Sequence, residues 1–323
     1  MSLGLPAGRY FEPLRHRDFA LLWSGQAVSQ LGDGIFTVTL AIETLRLDHG
    51  ATGLAYVLAA RLLPAVLFAL AGGVLVDRVP RRMMMLVSDI ARGAAVAVIA
   101  VLVATDGISL AALICMAHVF GLGDALFFPA AMAITPELVP ARLLVGASAL
   151  NGTSLQLAGV LIGPAVGGLL VGLLGTAWGF GVDAASFMIS AGAVLAMTSR
   201  PAPPPSGRSP LADLREGLRY CVSQRWLWVT TVGASLGNLV AFAPLGALIP
   251  LLVGDVLHGG GIALGLVFAA GGLGGLAATV LAGRRAPPAA GSSTSGSAGA
   301  CPGSGCSGWV SSPTCGWPPA SRS

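Results

Sequence analysis

The chain has 323 residues, 54% hydrophobic and 10% charged, with a mean hydropathy of +0.81 and a net charge of +4 from 18 arginines, no lysine and 14 acids. Soluble domains carry about 25% charged residues, so this composition excludes an ordinary soluble enzyme and a disordered or nucleic-acid-coating chain. Apolar runs of about 18 residues or more, in place of alternating segments of about ten, exclude a membrane β-barrel and predict an all-α membrane protein.

Residues 1–18 are polar and hold Arg9, Arg15, His16 and Arg17, so the first apolar stretch is expected to direct insertion itself. Eight stretches follow, at about 19–45, 53–76, 83–104, 108–134, 144–173, 177–198, 226–253 and 260–283, each of a length that spans a bilayer. Between the sixth and seventh, residues 199–225 start proline-rich and continue with Leu211, Leu214, Leu218 and Cys221 at helical spacing. That pattern predicts an amphipathic helix on the membrane surface. The organisation is therefore a cytoplasmic N-terminus (1–18), a six-helix bundle (19–198), a linker (199–225), two further helices (226–285) and a tail (286–323).

With the N-terminus cytoplasmic, 14 arginines fall on cytoplasmic segments, and Arg46 alone falls on the opposite side before the tail. The positive-inside rule selects that orientation. The tail is rich in Gly, Ser and Pro, which predicts disorder. Its Cys301, Cys306 and Cys315 fit no common zinc spacing, so no metal site is expected. It reads either as a solvated tail or as the product of a reading frame lost near residue 286.

Two patterns stand out. The loop after the second stretch reads Gly73-Val-Leu-Val-Asp77-Arg78-Val-Pro80-Arg81-Arg82. Gly73 permits close helix approach, Asp77 suits a neighbouring helix N-terminus, and the arginines hold the loop in the cytoplasm. In the fifth stretch, Gly159, Gly163 and Gly167 recur every fourth residue, followed by Gly168, with Pro164 removing a backbone donor. Such a helix packs closely on a neighbour and bends.

The loop resembles the signature G-x-x-x-D-R-x-G-R-R of the major facilitator superfamily, departing only at Pro80, where glycine is usual. The fifth helix resembles the antiporter motif G-x-x-x-G-P-x-x-G-G of drug-exporting members. FALLWSGQAVSQLGDGIF, DALFFPAAMAITPELVP, VDAASF and GNLVAFAPLGALIPLLV resemble the branch that contains bacterial siderophore, macrolide and multidrug exporters. The resemblance covers residues 11 to about 285. It implies a major facilitator-type helical bundle in the inner (plasma) membrane and secondary, proton-coupled efflux of a small amphiphilic substrate, with another ion gradient as the alternative driver and no cofactor. It also implies a gating role for the loop. The fourth helix lacks the Arg-x-x-x-Gly motif of many proton antiporters, so proton coupling rests on the resemblance.

Superfamily members have two six-helix halves with substrate bound between them. A shift of 206 residues places Leu70, Ala71, Val74, Leu75 and Arg78 on Leu276, Ala277, Val280, Leu281 and Arg284. The chain is thus expected to hold one half and two helices of the other, truncated or frame-shifted, with transport impaired. The alternative is a membrane interaction or regulatory protein that keeps a partial transporter fold. A membrane enzyme is not supported, because no serine, histidine and acid set recurs at helical spacing, and no Walker-type loop exists without lysine, which excludes ATP-driven transport by this chain.

Charges within membrane helices mark candidate sites. Asp33 lies about 21 Å along the first helix, near mid-membrane, and is either a proton-coupling or cation-binding carboxylate or a packing acid. Glu43 and Arg61 share the outer third and are expected to pair. Asp89 and Arg92, three residues apart, are expected to join the loop's charge network, with Asp124 as a partner for Arg78 or Arg92. Asp183 reads as structural, and His118 as a proton relay or a packed histidine. Phe36, Phe127, Phe128 and Phe242 are expected to supply aromatic contacts to substrate.

Overall fold

The computed structural model describes residues 11–47, 52–64, 79–198, 248–257 and 259–285, with isolated helical positions between 219 and 237. The signature loop at 73–78, the linker apart from scattered residues, the repeat partner at 70–78 and the tail all lie outside the described residues. The helices are α1 (Arg17–Arg46), α2 (Thr52–Pro64), α3 (Arg81–Ala104), α4 (Leu110–Leu138), α5 (Ala141–Leu174), α6 (Thr176–Ala196), α7 (248–256) and α8 (Gly261–Arg285).

Four of these, α3 to α6, are long and apolar enough to cross a membrane. α1 has 30 residues, about 45 Å of helix, but its apolar sequence is diluted by Gln26, Ser29, Asp33, Thr37, Thr39, Glu43 and Thr44. Most of that polar set is buried, because α1 is the inner helix: it packs on α6, α5, α8 and α4, while α3 packs on α4 and α6. The helices form an all-α bundle.

Lipid tails are as apolar as leucine, so hiding apolar surface gives these helices little drive to associate; close packing and internal hydrogen bonds must do so. α4 illustrates the tolerance this allows. It runs through Pro129 and Pro136 to Leu138, four residues past the expected end at 134, since neighbouring helices support a membrane helix where a proline removes a bond. The turn from α5 to α6 is made at Gly175, whose φ of +90° favours glycine.

The interior is layered. At one end, Phe19 and Leu22 of α1, Met84 and Met85 of α3, Phe127 and Ile134 of α4 and Val194 of α6 form an apolar cluster. Nearer the other end, Phe36 and Leu40, Val96 and Ile99, Phe120, and Phe180 and Phe187 from the same four helices form a second. On α3, α4 and α6 the charged or polar residues Asp89, Arg92, Asp124, Asp183, Ser186 and Ser190 fall between or beside these apolar positions.

The arginine-bearing helix ends gather at one face of the bundle. Arg82 Nε donates to the Val194 carbonyl at 2.9 Å and Arg82 Nη2 to the Leu195 carbonyl at 2.5 Å, capping the C-terminus of α6. Arg17 Nη2 adds a bond to the Ala196 carbonyl at 3.3 Å. Arg81 donates to the Ala133 carbonyl at 3.2 Å and pairs with Glu137 near the end of α4. Cations at helix C-termini satisfy orphan carbonyls and oppose the negative end of the helix dipole.

Candidate functional site

The Arg92 guanidinium of α3 is buried, with its side chain 2% exposed. The sequence SDIAR places Asp89 one helical turn earlier on the same face, and Arg92 Nη2 donates to Asp89 Oδ1 at 2.5 Å. Arg92 Nη1 donates to Asp124 Oδ1 on α4 at 2.8 Å. Asp89 Oδ2 accepts from Ser190 Oγ of α6 at 2.7 Å. One guanidinium thus binds α3 to α4 directly and to α6 through Asp89.

Three rings complete its shell. The Arg92 guanidinium carbon lies 4.4 Å from the Phe187 ring centroid, 4.6 Å from Phe127 and 6.0 Å from Phe120. Arginine suits this place because its flat cation stacks on ring faces while its edge serves two carboxylates.

Asp124 is the hinge of the network. Its second oxygen faces Arg61 Nη2 of α2 at 3.7 Å, and the Arg61 guanidinium lies 4.6 Å from the Phe120 centroid and 5.3 Å from Phe36. Phe36 and Phe120 are themselves stacked at 4.6 Å. Of the two partners expected for Asp124, Arg92 is present and Arg78 lies outside the described residues. Asp89 and Arg92 join this interior network; Arg81 and Arg82 of the signature pattern bond elsewhere.

Glu43 and Arg61 do not pair. Glu43 Oε2 accepts from Thr176 Oγ1 of α6 at 2.5 Å and from Arg46 Nη1 at 3.2 Å. The two residues share a depth but not a helix face: Arg46, three residues after Glu43, lies on the same face, whereas Arg61 turns toward α4. His118 is packed, its Nδ1 3.2 Å from the Ala60 carbonyl.

Asp33 projects from α1 with Oδ1 buried and without a hydrogen-bond partner among the described residues. The charges acting on it are Asp124, Arg92, Arg61 and Asp89, so α1 carries its acid into the field of the α2–α3–α4 network. Neighbouring Gln30 accepts from Ser154 Oγ of α5 at 2.9 Å.

The glycines of α5 meet α1 backbone to backbone. A Cβ on Gly163 would stand 2.7 Å from the Leu31 carbonyl oxygen and 2.8 Å from Gly34 Cα, and one on Gly167 would stand 2.8 Å from Ile35 Cα. Gly168 turns to the other side, where a Cβ would lie 2.7 Å from Gly265 Cα on α8. α5 is thereby held between α1 and α8. Its segment Leu155–Ile162 is π-helical, the wider turn falling just before Pro164, which has no N–H for the preceding carbonyls.

Residues 9–286 match the family model described as transmembrane secretion effector, of the major facilitator superfamily. The chain is 29% identical over 241 residues to the enterobactin exporter EntS of Shigella boydii serotype 18 (strain CDC 3083-94 / BS512), and 28% identical over 241 residues to the enterobactin exporter EntS of Escherichia coli O1:K1 / APEC. In both cases 71% of this chain aligns with 54% of the relative, so the chain spans about half the length of the curated relatives it matches. A solved structure of an auto-inhibited POT family peptide transporter is similar with a TM-score of 0.49 and 16% identity, over 80% of this chain and 52% of that one.

Proposed function

Since the chain belongs to the transmembrane secretion effector family of the major facilitator superfamily, a family of membrane transporters, we propose that it serves proton-coupled efflux of small amphiphilic compounds of the drug, macrolide or siderophore type. The observation that carries the coupling is Asp33. A carboxyl group at mid-depth of a membrane helix, with a buried oxygen that no described residue bonds, is costly unless it gains and loses a cation in use. Arg61 and Arg92 supply the charges it would answer to.

In this reading the N-terminus is cytoplasmic, and the arginines at 81, 82 and 142 mark the cytoplasmic face of the inner membrane. Residues 73–82 act as the gate, and the glycine seam of α5 is the surface along which helices shift between inward- and outward-open states. The names of the relatives favour a siderophore-like cargo.

Substrates of this superfamily bind between two halves, and the chain spans about half the length of those relatives. The second reading is a membrane interaction or regulatory protein that moves nothing.

Efflux of a fluorescent amphiphile from everted vesicles tests both. Vesicles holding this chain with the C-terminal half of a related exporter should show efflux that follows the pH gradient, and Asp33→Asn should abolish the coupling. Efflux indifferent to the gradient would overturn proton coupling. No efflux from the complemented vesicles would favour the non-transporting reading.

A further inference from the structure

α5 consists of two arms with a wide turn between them. The second arm, Gly163–Leu174, is anchored on both sides: Gly163 and Gly167 lie against the backbone of α1, while a Cβ on Gly168 or Gly172 would run into Gly265 or Ile262 of α8. These contacts with α8 run down to Leu161, whose Cα would stand 3.0 Å from a Cβ on Gly272. The first arm, Leu144–Ser154, packs on the turn Glu12–Arg15 and on parts of α1 and α4. A Cβ on its Gly152 would meet nothing within 4 Å.

Between the arms, Leu155–Ile162 is π-helical and holds no buried residue, whereas both arms hold several. Pro164 accounts for the wide turn. In an α-helix the Gly163 N–H would meet the Gly159 carbonyl; here it donates to the Ala158 carbonyl, five residues back. The π partner of the Gly159 carbonyl would be the N–H of residue 164, which proline lacks. That carbonyl faces α1 instead, where a Cβ on Gly34 would stand 2.6 Å from it. The Gly163 N–H thus has two adjacent acceptors, and a change from one to the other tightens or widens the turn. A side-chain bond ties the first arm to α1 at the edge of this turn, from Ser154 Oγ to Gln30 Oε1 at 2.9 Å.

Helices kink at identifiable defects, prolines and π turns among them, and a hinge is a short segment that absorbs the change between two packed bodies. We propose that the π-helical segment Leu155–Ile162 is a hinge on which the first arm of α5 swings away from α1 toward α8, with the Ser154–Gln30 bond as the latch that holds it back. The glycines of the second arm are the anchor of this movement, and the bend lies before them. The chain enters the first arm through Arg142, so the swing reshapes the arginine-rich face of the bundle and leaves the opposite face in place. The inference is independent of what the chain transports, and its failure would leave the efflux reading untouched.

Pulsed electron double resonance on the spin-labelled full chain in lipid nanodiscs tests it, with the five native cysteines replaced by serine. Met83→Cys with Val145→Cys spans α3 and α5 on the arginine-rich face, and Val101→Cys with Leu173→Cys spans them at the opposite face; all four side chains are exposed. The second pair should give one distance and the first pair two. The minor distance of the first pair should grow about fivefold in Ser154→Ala and in Gln30→Leu, the effect of one hydrogen bond, with no further growth when the two are combined. Pro164→Ala, which restores the missing N–H, should leave the first pair with one distance. Circular dichroism reports folding, and Gln30→Leu takes the place of Ser154→Ala should the latter not fold. A single distance for the first pair in both the unmodified chain and the folded latch variants overturns the proposal. A second distance in both pairs also overturns it, since the helix then moves as one body. Two distances retained in folded Pro164→Ala place the bend elsewhere and overturn it as well.

Discussion

Arg92 and Asp124 are joined at 2.8 Å across the α3–α4 interface, in an interior where the arginine has no access to water and its other hydrogen-bond partner, Asp89, is 0% exposed. Removing the guanidinium leaves Asp89 without a cation and Asp124 with only the long Arg61 contact at 3.7 Å. Breaking a buried pair in this way costs about 3–5 kcal/mol. Arg92→Ala should therefore lower the thermal unfolding midpoint in detergent sharply. Combining it with Asp89→Asn and Asp124→Asn should restore much of the loss. An unchanged midpoint in Arg92→Ala would show that the network holds nothing together.

Surface charge gives the opposite expectation. Arg142 and Glu12 are 2.6 Å apart, but the arginine side chain is 69% exposed. Exposed pairs contribute about 0–1 kcal/mol, so Arg142→Gln should leave the midpoint within error of the unmodified chain. A loss as large as that of Arg92→Ala would mean that the helix ends, not the interior, carry stability.

The glycine seam predicts a graded response along one helix. A Cβ at Gly163 meets backbone atoms of α1 that cannot give way, whereas one at Gly159 meets the Leu155 side chain at 3.4 Å, the Gln30 carbonyl at 3.5 Å and the Gln30 Cβ at 3.8 Å, all ordinary contacts. Overpacking of the first kind costs about 1–3 kcal/mol. Gly163→Ala should destabilise and Gly159→Ala should be close to neutral, measured by unfolding in a mild detergent. Equal effects would remove the close α1–α5 approach as a constraint.

Helix positions were readable because apolar runs of bilayer length leave few alternatives: α1 was expected at 19–45 and runs Arg17–Arg46, and α6 was expected at 177–198 and runs Thr176–Ala196. The glycine register of α5 was equally visible, since spacing of four defines a face. What spacing does not carry is which face meets which helix. Arg61 and Glu43 share a depth yet point to different neighbours, and the approach of Asp183 to Gly32 exists only through the contact of α6 with α1, about 150 residues apart in sequence. The π turn before Pro164 has no sequence signal beyond the proline itself.

At the far end of the bundle, Thr176 ties α6 to α1 through the buried Glu43. Thr176→Val keeps the shape of the side chain and removes the donor, leaving Glu43 only the Arg46 bond at 3.2 Å from a side chain that is 58% exposed. An under-satisfied buried acceptor costs about 1–3 kcal/mol. In the Glu43→Gln background the same change should cost clearly less. A double-mutant cycle with no coupling would separate the two residues.

Orientation is testable by side-specific labelling in intact cells. The turn between α3 and α4 and the start of α5 lie at opposite ends of the bundle, since α4 separates them along its whole length of 29 residues, about 43 Å of helix. With the five native cysteines replaced by serine, Thr105→Cys should react with a membrane-impermeant maleimide added outside. Arg142→Cys should react only after the membrane is permeabilised, because the arginine-rich face is held in the cytoplasm. The reverse pattern would place the N-terminus outside and would turn the proposed direction of export around, since residues 73–82 would then gate the external face.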